Sequence, residues 1–138
     1  MTAMESLANR AIRDIRDRHA DFQALGRGGR SRHDFPFEAT MAPEFLVVTT
    51  EGGRLTRAEL MAHFDRMAEG VGDDFAIAVD DFAVVHEGVD AVLVEYTETQ
   101  WKRGAKTRRR STALFVPDAA APNGVVWRHL QETWIAVP

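Results

Sequence analysis

The sequence predicts an α+β domain, and three observations predict it. Apolar residues recur at three- and four-residue steps through two early segments, the period of helices. From about residue 75 the pattern changes to four long runs rich in β-branched and aromatic residues, the signature of strands. The connectors between those runs, "EGVD", "KRGAK" and "PDAAAPNG", are short enough to make neighbours antiparallel. Helices first and a sheet afterwards is the α+β order. The 138 residues suit one domain, 1–138, large enough to bury its own core.

The first helix is expected over Glu5 to Leu25. Ala8, Ala11, Ile12, Ile15, His19 and Phe22 make one apolar stripe. Arg10, Arg13, Asp14, Asp17 and Asp21 take the opposite side, with Asp14 and Arg18 spaced to pair. Gly26 stops the helix, and "GRGGRSRHD" reads as a loop. In "FPFEATMAPEF", Pro36 suits the first turn of a short helix and Pro43 its end. "FLVVTT" is a strand closed by "EGGR". Thr56 and Glu59 have capping-box spacing before a second helix, whose stripe is Leu60, His63, Phe64 and Met67 and whose end is marked by Gly70. The four long strands follow, and Asp80 with Asp81 marks a bulge or bend in the first of them.

Composition excludes several classes. Without cysteine there are no disulfides, thiolate metal sites or cysteine nucleophiles. No apolar run reaches the roughly 18 residues of a membrane helix, and "MTAMESLANR" lacks a signal-peptide apolar region, so a cytoplasmic chain with no membrane partner is expected. "KRGAKTRRR" holds six positive residues in nine, but Trp101 is its only aromatic neighbour and the net charge is −4. That reads as a solvated hairpin tip, with no nucleic acid as partner. No tight metal-ligand spacing occurs, and neither metal nor cofactor is expected.

The last strand, "VVWRHLQETW", carries polar residues and a tryptophan on both faces if its alternation is unbroken. With turn centres near Gly104 and Ala121, Glu98, Arg110 and Glu132 line up across three strands, flanked by Tyr96, Gln100 and Trp134. On a concave face this is an arginine held by two carboxylates, the polar floor of a pocket with Glu98 or Glu132 as base. On an outer face it is cross-strand charge pairing. A one-residue slip exchanges the faces. The other face offers Trp101, Arg109, Ser111, Trp127, His129 and Gln131. It is a pocket with His129 as its titrating group, or, the favoured reading, dimer-interface packing around Trp127. His19 and His63 lie on helical stripes, as hydrogen-bonded core residues or as site residues, and His19 is the stronger site candidate. His33 and His86 are expected to face solvent.

The long first helix, "MAPEF" before the first strand, "GGRLTRAEL" leading into a helix, "YTETQ", "RRST" and "WRHLQETW" occur in an order that spans nearly the whole chain. In that order the chain resembles the nuclear transport factor 2-like superfamily, in its ketosteroid isomerase-like or SnoaL-like branch. The resemblance implies a cone-shaped fold, with helices packed in a strongly curved, mainly antiparallel sheet, a cavity at the open end and a homodimer joined through the sheet. It carries over no catalytic residue. The first helix has no tyrosine, Tyr96 is the only one in the chain, and the paired aspartates and arginine of the superfamily's epoxide hydrolases have no counterpart. The expected function is binding of a small organic molecule in an apolar cavity. A cofactor-free acid–base enzyme on the same pocket, or a dimeric interaction module, are the alternatives.

Overall fold

The computed structural model describes residues 5–136. The first helix, α1, runs Leu7–Gly26, and the Ser6 side chain caps it by accepting from the Asn9 amide. Ala8, Ala11, Ile15 and His19 of the expected stripe are buried. So, against expectation, is Asp14, with no exposed surface at all. The segment joining the last two strands folds over this flank of the helix. Asn123 Nδ2 donates to Asp14 Oδ1 (2.9 Å), and the Trp127 indole donates to Asp14 Oδ2 (2.7 Å). Arg18, also buried, lies 3.9 Å from Asp14 and 3.3 Å from Asp21.

The short helix expected at Pro36 is absent: residues 36–40 form turns, and the chain enters β1 (Met41–Val48) directly. Pro43 lies inside that strand rather than ending a helix. It is tolerated because β1 breaks register with its neighbour between Met41 and Leu46, so the missing N–H removes no ladder bond. The preceding loop contains a single 3-10 turn, Arg32–Asp34, capped by Ser31. A short strand β2 (Arg54–Thr56) leads into α2 (Arg57–Met67), whose Thr56 and Glu59 make the expected capping box. Gly70, at positive φ, sends its amide back to the Met67 carbonyl after the helix ends.

Four long strands complete the chain: β3 (Ala76–Glu87), β4 (Val92–Lys102), β5 (Ala105–Pro117) and β6 (Val125–Ile135). The sheet order is β2-β1-β6-β5-β4-β3, antiparallel except between β1 and β6. The bulge expected at Asp80 and Asp81 is present: β3 slips between Asp80 and Ala83, with Asp81 at φ 57°. A second bulge lies in β6. Leu114 pairs with His129 but Phe115 pairs with Trp127, leaving Arg128 as the extra residue. The curved sheet closes around α1 and α2, and Ile15, Leu25, Phe37, Phe45, Phe64, Val94 and Phe115 lie in one core. Among the described residues no helix is long and apolar enough to cross a membrane.

The β6 bulge resolves the mixed pattern of "VVWRHLQETW". Because one residue is skipped, Trp127 faces the same side as Leu130 and Glu132, and all three line one cavity. Trp127 is 2% exposed, packed on Phe115 at 4.6 Å between ring centroids. The expectation that it forms a dimer interface is therefore corrected: its indole is in the core of the single chain. Replacing Asp14 with Ala leaves the buried indole N–H without its acceptor, while the Asn123 amide keeps Asp17 Oδ2 at 3.0 Å. We expect Asp14→Ala to lower stability by ~1–3 kcal/mol in urea unfolding. A change below about 0.5 kcal/mol, the range of ordinary surface substitutions, would mean the contact contributes nothing.

Candidate functional site

The turn between β4 and β5 decides which arginine enters the concave side. Arg103 and Gly104 are both at positive φ (53° and 79°), and Lys102 pairs with Ala105, a two-residue hairpin of the I′ kind. Its centre lies between Arg103 and Gly104 rather than on Gly104. That half-residue difference shifts the register by one, so Glu98 pairs with Arg109 and Tyr96 with Ser111. The second turn is centred on Ala121, as expected, for Pro117 pairs with Val125. Beyond the β6 bulge, however, the pairing moves by one, placing Ser111 opposite Glu132 and Arg109 opposite Trp134.

Arg110 is thus not the arginine between the carboxylates. It is exposed on the outer face, 3.9 Å from Glu95. His129, on the outer side of the bulge, pairs with Leu114 and Leu46 and does not line the cavity. The structure brings His19, Glu98 and Glu132 together on the concave side, with Tyr96 directly behind His19, ring centroids 5.5 Å apart. Neither Tyr96 nor Trp134 lines the cavity, and the Trp134 ring, 45% exposed, lies 4.9 Å from the Arg109 guanidinium. Arg109 is the residue that the sequence reading put on the wrong face. The signal that would have found it is the Arg-Gly pair itself, since a two-residue turn with glycine second suits positive φ at both positions.

His19, Glu98, Arg109 and Glu132 form the floor of a cavity of about 260 Å³. Its walls are apolar: Phe22 from α1, Leu60, Phe64 and Met67 from α2, Phe45 and Val47 from β1, and Leu130 from β6. Phe22, Phe37 and Phe64 hold this wall rigid through ring contacts of 4.6 to 5.2 Å. Thr50, Glu51 and His63 are its more exposed residues and form the rim. The surrounding protein, with Arg66 and Lys102 nearby, holds the His63 pKa below its usual value.

On the floor, His19 Nδ1 donates to the Ile15 carbonyl (2.6 Å), and Nε2 meets Glu98 Oε1 at 3.0 Å. Gln100 Nε2 donates to the other Glu98 oxygen at 2.6 Å. Burial disfavours both charges, but each partner outweighs it. Glu98 raises the His19 pKa, and His19, Arg109 and Gln100 draw Glu98 down to about 2. The result is a buried histidine–carboxylate pair in which each partner favours the other's charged form. Glu132 goes the other way, pushed up to about 7 by burial and then by the Glu98 charge. Its single contact with Arg109 is long, 3.4 Å. Burial and the same two carboxylates raise the Tyr96 hydroxyl well above its usual range, so it remains a neutral donor. Arg109 Nε, buried, makes no hydrogen bond among the described residues. No group of three or more His, Asp and Glu there is placed to hold a metal ion.

Two carboxylates driven apart in this way are suited to holding one proton near neutrality. The Glu132 carboxyl, higher in the fold than when unfolded, contributes stability fully below pH 4.5, and loses it as pH rises to about 7. Glu98 has the opposite sign, contributing above pH 4.5 and losing as pH falls toward 2. The stability of the unaltered chain, relative to Glu132→Gln, should therefore fall by up to about 3 kcal/mol between pH 4.5 and 7.5 in urea unfolding. A difference independent of pH would place the Glu132 titration outside this window.

No family model matches the chain, and no curated protein matches it in sequence. Solved structures do. An NTF-2 like protein of unknown function from Pseudomonas aeruginosa is 25% identical, with TM-score 0.81, covering 92% of this chain and 99% of that one. The CaMKII hub of S. rosetta is 19% identical at TM-score 0.72, covering 98% and 100%. Nuclear transport factor 2 from Cryptosporidium parvum is 6% identical at TM-score 0.69, covering 97% and 100%. With a long first helix and a curved mixed sheet matched along nearly its full length, the chain has the NTF2-like fold.

Proposed function

We propose that this chain binds a small organic molecule in the cavity between α1, α2 and the curved sheet. The observation that carries the reading is the contrast within that cavity, apolar on its walls and charged only on its floor. Burying His19, Glu98, Arg109 and Glu132 together costs stability that apolar residues of similar volume would not. A ligand whose polar end requires them is the reading that accounts for their presence. A homodimer joined through the outer face of the sheet, where Trp101 is exposed, and a cytoplasmic setting complete it. The likeness to a protein described as a hub supports self-association of some kind.

A second reading is favoured by one group. Glu132, with its proton held near neutrality beside the His19–Glu98 pair, suits a cofactor-free acid–base enzyme: an isomerase, dehydratase, cyclase or hydrolase. The ketosteroid isomerase-like or SnoaL-like branch belongs with this reading, although the residues at the floor are this chain's own arrangement.

Thermal unfolding against steroids, aromatic polyketide fragments, fatty acids and hydroxylated terpenes tests the first reading. A ligand at about 100 times its dissociation constant adds ~2.7 kcal/mol, which raises the midpoint by several degrees. The shift should vanish in Leu130→Trp, which fills the cavity from β6; a shift undiminished in that variant places binding elsewhere. For the second reading, turnover of any such compound should fall roughly 100-fold or more in Glu132→Gln. Unchanged turnover removes Glu132 from the chemistry.

A further inference from the structure

Arg109 is the cation of the floor whose hydrogen-bond donors are least used. His19 and Gln100 occupy both oxygens of Glu98, which leaves that carboxylate no oxygen free of a neighbour's hydrogen bond. Glu132 touches Arg109 once, Nη1 to Oε2 at 3.4 Å, a marginal contact. Arg109 Nε makes no hydrogen bond, although the side chain is only 16% exposed. The guanidinium lies on the face of Trp134 at 4.9 Å, which covers one of its faces and leaves its N–H edges for in-plane partners. A buried guanidinium with this much unused donor capacity is built for a planar anion, and carboxylate is the geometry that fits its fork.

We infer that the cavity takes an organic monocarboxylate with an apolar body, its carboxylate seated on Arg109 beside Glu132. This rests on the pocket reading above and names the ligand class for it. The pairing agrees. His19 and Glu98 are engaged with each other at 3.0 Å, which leaves Arg109 as the cation available to a ligand carboxylate. With Glu132 ionised, the arginine is already matched and the incoming anion faces a like charge. The groups facing Glu132 are His19 from α1, Tyr96 and Glu98 from β4, and Arg109 and Ser111 from β5. His63 from α2 and Glu51 stand at the rim. The walls of Phe22, Phe45, Leu60 and Phe64 receive the body of the ligand. A volume of about 260 Å³ lies just under the roughly 300–1,000 Å³ of sites for drug-sized molecules, so the body is short: one ring or a brief alkyl chain.

Isothermal titration calorimetry with phenylacetate and hexanoate, against phenylacetamide, hexanamide and indole, tests this. The acids should bind at least tenfold more tightly than their amides. Their affinity should fall as pH rises above 7, approaching tenfold per unit for uptake of one proton. Arg109→Gln should abolish the preference for acid over amide, and Arg109→Lys, which keeps the charge without the fork, should retain part of it. Equal affinity for acid and amide, or tighter binding of acid at pH 8 than at pH 6, overturns the inference. If indole or the amides bind and the acids do not, the pocket stands and the carboxylate assignment falls. If none of the five probes binds, the carboxylate inference falls, and the pocket reading falls with it when the wider panel is silent too.

Discussion

The extra residue in β6 is the constraint on which the interior of this protein depends. Without Arg128 out of step, Trp127 would face away from Leu130 and Glu132, and β6 would present either its indole or its carboxylate to the concave side, never both. With it, the strand does two things at once. Its first half sends Trp127 into the core, where the indole donates to Asp14 and ties β6 to α1. Its second half brings Glu132 to the cavity floor opposite Ser111. A bulge bends its strand and increases local twist, so the same residue also helps curve the sheet around the helices.

From that geometry follows the electrostatics of the floor. Four ionisable groups from α1, β4, β5 and β6 converge where water is largely excluded, and their charges cannot all be met equally. Glu98 takes the strongest partners and stays ionised. Glu132, left with burial, a long arginine contact and the repulsion of Glu98, holds its proton into the neutral range. The difference between two glutamates is thus one of position alone. Asp14, also buried, is a third case. Two hydrogen bonds from Asn123 and Trp127 satisfy it, and its role is to hold the far side of the cavity wall in place.

The apolar and polar parts of the cavity have separate origins in the chain. The walls come mostly from the helical stripes and β1, elements whose periodicity is local and strong. The floor comes from three strands paired across two turns, so its composition depends on how each turn closes. This is why α1, α2, the capping box at Thr56 and the bulge at Asp81 were legible from the residues, while Arg110 stood where Arg109 belongs. Periodicity also hid Asp14, since a carboxylate on a helix flank counts as polar whether water or an indole meets it.

The sequence by itself determined the α+β order, the two helices and the four long strands, the apolar stripes and the candidacy of His19, Glu98 and Glu132. Those depend on spacing within one segment, and spacing is written in the chain. Only the tertiary structure decided which arginine faces inward, that Trp127 is in the core rather than at a surface, and that Pro36 opens no helix. Each depends on a register or a close approach between distant segments. A side-chain period of two makes a shift of one residue, at a turn or a bulge, enough to exchange the faces.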